Sequence, residues 1–312
     1  MTAYRKKCKR KKRKIKCVLS ILCICAVCIT ALFFLNRLMA NDLYSSNAIL
    51  IRLDDNDILL DKSSDERIYP ASLTKIMTAI LAIENLSDLN ERIYLQEEMF
   101  KKLYSEGASM AGFSPNENVA AIDLIYGVLL PSGAESCIGL AEAIAGSEEN
   151  YVKLMNEKAK KLEMNDTHFT NSTGLHDRNH YSTVNDIAKL LEYALQNRTF
   201  REVYTSKGYT TKATNINPEG ITLQSTMFKH MDTADINNGI IEGGKTGYTE
   251  EAKLCLASLA KIDDKEYILV TANADGNPQT KQFNILDAFT VYNQIFENDA
   301  TKNIKYLISD SK

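Results

Sequence analysis

From Pro70 onward the chain places apolar residues at Leu73, Ile76, Met77, Ile80, Leu81 and Ile83, the spacing of a helix with a largely buried face. Before it, the apolar runs 48–53 and 58–60 flank Asp54-Asp55-Asn56-Asp57, which predicts a β-hairpin closed by turn-forming residues. Residues 106–118, with Gly107, Gly112 and Pro115, predict a loop that leads into an apolar helix over 122–130, ended by Pro131-Ser132-Gly133. Two more helices are expected at about 135–145 and 149–162. Thr183 and Asp186 form a capping pair ahead of Ile187, Leu190, Leu191 and Ala194, an amphipathic repeat. From Tyr209 the pattern turns to β: 209–211, 221–223, 254–258 and 267–271 read as strands, and 282–296 as a closing helix. Strands at both ends with helices between predict an α+β fold, in which one sheet is assembled from both ends of the chain and a helical lobe is inserted.

A different pattern precedes all this. Ten basic residues lie between Arg5 and Lys16, and 17–35 follows without a charge. That run is long enough to span a bilayer core as a helix, with the basic flank on the cytoplasmic side and the remainder outside. It also exceeds the usual signal-peptide core, which favours an uncleaved anchor; the rival is a cleaved signal, for which Leu38-Met39-Ala40 offers a small residue. The expected organisation is a basic cytoplasmic segment 1–16, a transmembrane anchor 17–35, a tether 36–46, a catalytic domain 47–300 and a tail 301–312. The expected location is the cell membrane, single-pass with the domain extracytoplasmic, or secreted if the segment is cleaved. Directly before an apolar span, the basic run is a topology signal, and no nucleic-acid partner is expected.

Charge supports this division. The net charge is −3, yet residues 1–40 hold 11 of the 37 Lys/Arg and none of the 40 Asp/Glu, leaving 26 against 40, a net −14, for 41–312. Of the seven cysteines, Cys8, Cys17, Cys23, Cys25 and Cys28 lie in or beside the anchor. Cys137 and Cys255 remain, at no metal-ligand spacing, and read as small buried hydrophobes; a disulfide between them is compatible with an oxidising compartment but is not readable from sequence.

The candidate chemistry starts at Ser72 and Lys75. Three residues apart at the start of a helix, they share one face, where an amine reaches a hydroxyl near the positive end of the helix dipole. Alone, S-x-x-K fits a capping serine beside a surface lysine better than a catalytic pair. Two later patterns change that: Ser132-Gly133-Ala134 at a break between helices, and Gly244-Lys245-Thr246-Gly247-Tyr248-Thr249 opening the strand that reaches Ser258. S-x-x-K, a serine triplet and K-T-G before a late strand, in that order, form the signature of penicillin-recognising serine enzymes.

On these residues, and on the flanking segments 106–113, 129–133 and 169–175, the chain resembles the low-molecular-mass penicillin-binding proteins, specifically the serine D-alanyl-D-alanine carboxypeptidases of the S11 type. The resemblance runs from about residue 48 to 296. It implies an antiparallel sheet with helices on both faces and an all-helical lobe beside it, the active site lying in the cleft between. It makes Ser72 the acylated nucleophile, Lys75 the base, its pKa lowered by burial and by the cation of Lys245, and Ser132 the proton relay to the leaving nitrogen. Lys245 and Thr246 would bind the terminal carboxylate, Gly247 would let substrate approach the strand, and the N–H groups of Ser72 and Tyr248 would form the oxyanion hole. The implied partners are a peptidoglycan stem peptide ending in D-Ala-D-Ala and β-lactam antibiotics, with no metal or organic cofactor. The same residues serve a DD-endopeptidase. The resemblance implies two departures from many relatives: Ala134 stands where an asparagine is common, which would remove one substrate-positioning hydrogen bond, and their β-rich C-terminal domain and trailing membrane helix are not expected here. A non-catalytic wall-binding protein of this fold is a further alternative. A β-lactamase is disfavoured because no E-x-x-L-N follows the serine triplet. His168, His176 and His180 raise a Ser-His-Asp alternative, but they cluster in a polar loop and Lys75 already fills the base role.

Overall fold

The computed structural model describes residues 43–295; the segments 1–16, 17–35 and 301–312, most of the tether and residues 296–300 lie outside the described residues. Among the described residues no helix is long and apolar enough to cross a membrane. The hairpin forms as β1 (Asn47–Arg52) and β2 (Asp57–Lys62), turning through Asn56 at φ 57°. Residues 43–46, expected as the end of a tether, are docked: Leu43 and Ser45 are buried, and the backbone N–H groups of Tyr44 and Ser45 donate to Asp287 at 2.9 and 2.8 Å.

A short 3-10 turn, Ala71–Thr74, precedes α1 (Lys75–Asn85). Ser72 therefore sits in the tight turn before the α-helix, not in its first turn, one residue after Ala71 at φ 45°. The strands β3 (Arg92–Tyr94) and β4 (Asn118–Ala120) pair antiparallel around α2 (Glu97–Ser105), three elements too short or too polar for periodicity to reveal. Then come α3 (Ala121–Leu129), α4 (Ala134–Ala145), α5 (Glu148–Lys161), α6 (Val184–Leu195) and α7 (Arg198–Tyr204). Thr183 caps α6 as expected, its hydroxyl accepting from Asp186 N at 3.0 Å. The Asp186 carboxylate turns instead to Asp166 N and the Thr167 hydroxyl.

A small hairpin, β5 (Gly208–Thr210) with β6 (Thr222–Gln224), is followed by β7 (Asp235–Ile236), β8 (Gly239–Thr249), β9 (Lys253–Ile262), β10 (Lys265–Ala274) and helix α8, described over 283–295. The main sheet runs β2-β1-β10-β9-β8-β7, all neighbours antiparallel, so both ends of the chain meet where β1 pairs with β10. The K-T-G segment does not, as expected from sequence, open the strand reaching Ser258. It lies within β8, which turns at 250–252 and pairs back with β9, placing Gly244 opposite Ser258.

Both faces of this sheet are covered. Ile49, Ile51, Cys255, Ala257, Leu259, Ile268 and Val270 join the core built on α1, α3, α4 and α6. The alternate residues face α8, where Ser258 meets the buried Tyr292 at 3.0 Å and Asn284 donates to the Cys255 carbonyl at 2.9 Å. Two-sided burial explains why β9 and β10 read as continuous apolar runs. α1 is the central helix, with every residue from Lys75 to Ala82 buried.

Candidate active site

The turn that carries Ser72 and the middle of β8 are brought together by close backbone approach. A Cβ on Gly247 would lie 3.2 Å from Ser72 N and 3.3 Å from the Pro70 carbonyl, tight enough that a side chain here would press on the backbone of Ser72. On the opposite flank, Gly174 has φ 79°, and a Cβ would fall 1.9 Å from the Ala71 carbonyl, so the 169–175 loop rests against the same turn. Ala71 and Ser132 hold positive φ, 45° and 70°, without being glycine. Such strained positions persist only where surrounding contacts impose them.

Two lysine–serine pairs result. Lys75 Nζ is 3.0 Å from Ser72 Oγ and donates to the Thr173 carbonyl at 2.5 Å. Lys245 Nζ is 3.0 Å from Ser132 Oγ and donates to the Thr246 carbonyl at 2.8 Å. Both amines are buried and no carboxylate lies within ion-pair distance of either among the described residues. Burial pushes the pKa of Lys75 down. Lys245 is pushed further, first by burial and then by the charge of Lys75. Burial is the larger cause for both amines, and the proximity of two like charges adds to it.

The support around Lys75 was invisible in sequence. Thr173 holds its carbonyl in place because Asn171 Oδ1 accepts from Thr173 N and Gly174 N at 3.2 and 2.7 Å. Glu148 Oε1 accepts from Ser172 N and Oγ, and the Thr78 hydroxyl donates to the Ser172 carbonyl at 2.6 Å. The turn at Ser132 has its own clamp. Ala134 opens α4, its N–H donating to the Ser109 carbonyl at 2.8 Å. Beside it, the buried Glu135 accepts from the N–H groups of Ala111, Gly112 and Phe113 at 2.7, 3.0 and 3.3 Å. Burial raises the pKa of Glu135. Ala134, with its methyl group, contributes no polar atom beyond its backbone. A residue that the motifs do not reach is Thr226, whose hydroxyl lies 2.6 Å from that of Thr246.

Lys245 and Gly247 share the face of β8 turned to Ser132 and Ser72. From Gly243 to Thr249, β8 pairs with β9 on one side, and among the described residues no strand pairs its other edge, since β7 reaches only Gly239 and Ile240. An extended peptide adds to such an edge through main-chain hydrogen bonds.

The histidines stand apart from this chemistry. His180 is buried, its Nδ1 accepting from Thr170 N at 3.1 Å, which leaves Nε2–H to donate to the Thr74 hydroxyl at 2.8 Å. Burial lowers its pKa to about 4. His168 bonds the Asn179 carbonyl, and His176 packs edge-on against Tyr69. Cys137 and Cys255 are both free and buried, so no disulfide joins them.

Comparison with known proteins gives this arrangement its place. The family model described as D-alanyl-D-alanine carboxypeptidase, peptidase S11, matches residues 36–276. The chain is 33% identical over 236 residues to the D-alanyl-D-alanine carboxypeptidase DacF of Bacillus subtilis, covering 74% of this chain and 57% of that protein. It is 31% identical over 224 residues to the D-alanyl-D-alanine carboxypeptidase of Streptomyces sp. strain K15, covering 67% of this chain and 74% of that one. The crystal structure of the Streptomyces K15 DD-transpeptidase superposes with a TM-score of 0.73 at 26% identity, over 82% of this chain and 98% of that chain. With the family model spanning most of its length, the chain belongs to the D-alanyl-D-alanine carboxypeptidase family, peptidase S11.

Proposed function

We propose that the protein is a serine DD-carboxypeptidase that removes the terminal D-alanine from peptidoglycan pentapeptides through an acyl-enzyme on Ser72, and that penicillins acylate the same serine. One observation carries the reading above the others: a buried lysine amine, its pKa lowered by burial, stands 3.0 Å from the hydroxyl of Ser72 with no carboxylate within ion-pair distance among the described residues.

The steps follow from the positions of the groups. The peptide end lies along the open edge of β8, its carboxylate between Lys245 and the Thr246 hydroxyl. Arrival of that charge beside Lys245 favours the ammonium form that burial alone disfavours. Neutral Lys75 takes the Ser72 proton as Oγ attacks the carbonyl of the penultimate D-alanine. Charge developing on that oxygen is met by the N–H groups of Ser72 and Tyr248, which the approach of Gly247 to Ser72 N supports. Ser132 Oγ passes its proton to the departing D-alanine nitrogen and takes in its place the one that Lys75 removed from Ser72, which leaves Lys75 neutral. Water then attacks the ester, with Lys75 as base again, and the proton goes back to Ser72 Oγ as the acid leaves. The missing asparagine at Ala134 takes one hydrogen bond from the substrate but leaves nucleophile, base and relay in place. The anchor reading of 17–35, with the domain outside the membrane, rests on the basic flank and the uncharged run.

The test is incubation of the protein with a pentapeptide ending in D-Ala-D-Ala, followed by assay for free D-alanine and mapping of the penicillin adduct. D-Alanine release and an adduct on Ser72 are expected. An adduct on another residue, or full labelling of Ser72→Ala, would overturn the assignment.

A further inference from the structure

The serine assigned to the proton relay is positioned almost wholly through its backbone. Among the described residues the Ser132 hydroxyl has one hydrogen bond, to Lys245 Nζ at 3.0 Å, and Ser132 stands at φ 70°, a conformation that a residue with a side chain keeps only where its surroundings impose it. One restraint is local: Gly133 N–H donates to the Gly127 carbonyl at 2.8 Å. The others come from the loop 109–113. Its Ser109 carbonyl accepts from Ala134 N–H at 2.8 Å, and its N–H groups on Ala111, Gly112 and Phe113 converge on a single oxygen, Glu135 Oε1, at 2.7, 3.0 and 3.3 Å.

Glu135 stands in the first turn of α4, where a carboxyl group commonly meets the free N–H groups of its own helix. It turns instead to the loop, fully buried, and its Oε2 has no hydrogen-bond partner among the described residues. A buried oxygen left without a partner costs stability. What the arrangement secures is the fit of loop to turn, and that fit has no slack: a Cβ on Gly133 would fall 2.5 Å from Ala111 Cβ, and one on Gly127 would fall 3.0 Å from the Phe113 ring. Releasing Ala111, Gly112 and Phe113 from Oε1 would free the turn to relax from φ 70° and carry the Ser132 hydroxyl with it.

We propose that Glu135 is a positioning residue for the proton relay: by gathering three N–H groups of the loop onto one oxygen, it holds the Ser132 hydroxyl where its proton reaches the departing nitrogen. The inference rests on the carboxypeptidase reading for the relay itself. As the C–N bond breaks, its electron pair stays on nitrogen, and the amine leaves only if a proton arrives with that pair. Ser132 supplies the proton and takes another from Lys75 in its place. A thiolate departs with the pair of a C–S bond and needs no proton, because a thiol ionises near pH 8.5, at about 8.5 for free cysteine. A misplaced Ser132 should therefore slow amide substrates and spare thiolesters, and about 1 Å of misplacement is enough for roughly a hundredfold loss.

The test compares three substrates of the full chain: a pentapeptide ending in D-Ala-D-Ala, the same peptide with the terminal D-alanine replaced by (R)-thiolactate, and a penicillin, whose ring nitrogen also needs a proton. Glu135→Ala should lower kcat/KM for the pentapeptide and the rate of acylation by penicillin about a hundredfold, while the thiolester stays within about threefold of the parent. Glu135→Asp, shorter by one carbon, is the milder change and should show the same selective loss if Glu135→Ala does not fold. Glu135→Gln keeps an oxygen at the place of Oε1 and should restore most of the amide rate, which separates the acceptor from the charge. Ser132→Ala sets the reference: it should show the same selectivity, and adding Glu135→Ala to it should cost nothing more on the pentapeptide. Folded Ala or Asp variants that slow all three substrates alike or none of them, or a Gln variant as impaired as Ala, overturn the assignment. If the parent releases no D-alanine the carboxypeptidase reading fails, and the ratio of penicillin to thiolester rates still decides the role of Glu135.

Discussion

Replacing Lys75 separates a catalytic base from a structural lysine. The residue is 2% exposed, has no carboxylate partner, and its amine hydrogen-bonds Ser72 Oγ and the Thr173 carbonyl. Lys75→Met retains a stem of similar length without a proton acceptor; Lys75→Arg retains the charge but is protonated at any working pH. A general base contributes about 10²–10⁴ in rate, or roughly 3–5 kcal/mol at 1.36 kcal/mol per decade, so both variants should acylate slower by at least two orders of magnitude. Arginine adds volume to a packed site, at about 1–3 kcal/mol of stability, which makes methionine the cleaner variant. The assay is the second-order rate of acylation by a fluorescent penicillin across pH, with circular dichroism to establish that each variant is folded. In the unmodified protein the neutral fraction of Lys75 falls tenfold per pH unit below its lowered pKa, so the rate should fall along an acid limb. That limb should vanish in Lys75→Met. Folded variants acylating within about fivefold of the parent, or an acid limb preserved in Lys75→Met, would refute lysine as the base.

Two further outcomes follow from the same geometry. If Lys245 and Thr246 read a free carboxylate, an amidated pentapeptide should lose about one to two orders of magnitude in kcat/KM, and the penalty should shrink in Thr246→Val; equal rates on acid and amide would move the assignment to a DD-endopeptidase. His180, at about 4 in the folded protein against 6.5 ordinarily, leaves the unfolded chain binding more protons between those values. Its contribution is therefore complete above pH 6.5 and is lost as pH falls towards 4, amounting to about 2–3 kcal/mol between pH 7 and 4.5. Urea unfolding of the protein and of His180→Gln at both pH values checks this, and parallel losses in the two would contradict it.

The hydrophobic pattern by itself determined the helix after Pro70, the paired strands from both chain ends and the helical insert, because the periods 3.6 and 2 are local properties of a buried face. The order of Ser72, Lys75, Ser132 and Lys245-Thr246 pointed to the family, since each motif carries its own reactive groups in a short stretch. What folding decided was everything that depends on distant segments meeting. The α-helix begins at Lys75 and not before Ser72, and the turn ahead of it is held at Ala71, φ 45°, against Gly174, 103 positions away. Tyr44 and Ser45 dock on Asp287, 243 and 242 positions away, so a stretch with the composition of a tether becomes part of the domain. The burial that lowers the pKa of both Lys75 and Lys245 is likewise set by packing, and it is not written in the spacing of the motifs. Thr173, 98 residues from Lys75, and Thr226, 20 from Thr246, reach the site through a carbonyl and a hydroxyl whose positions only tertiary packing sets.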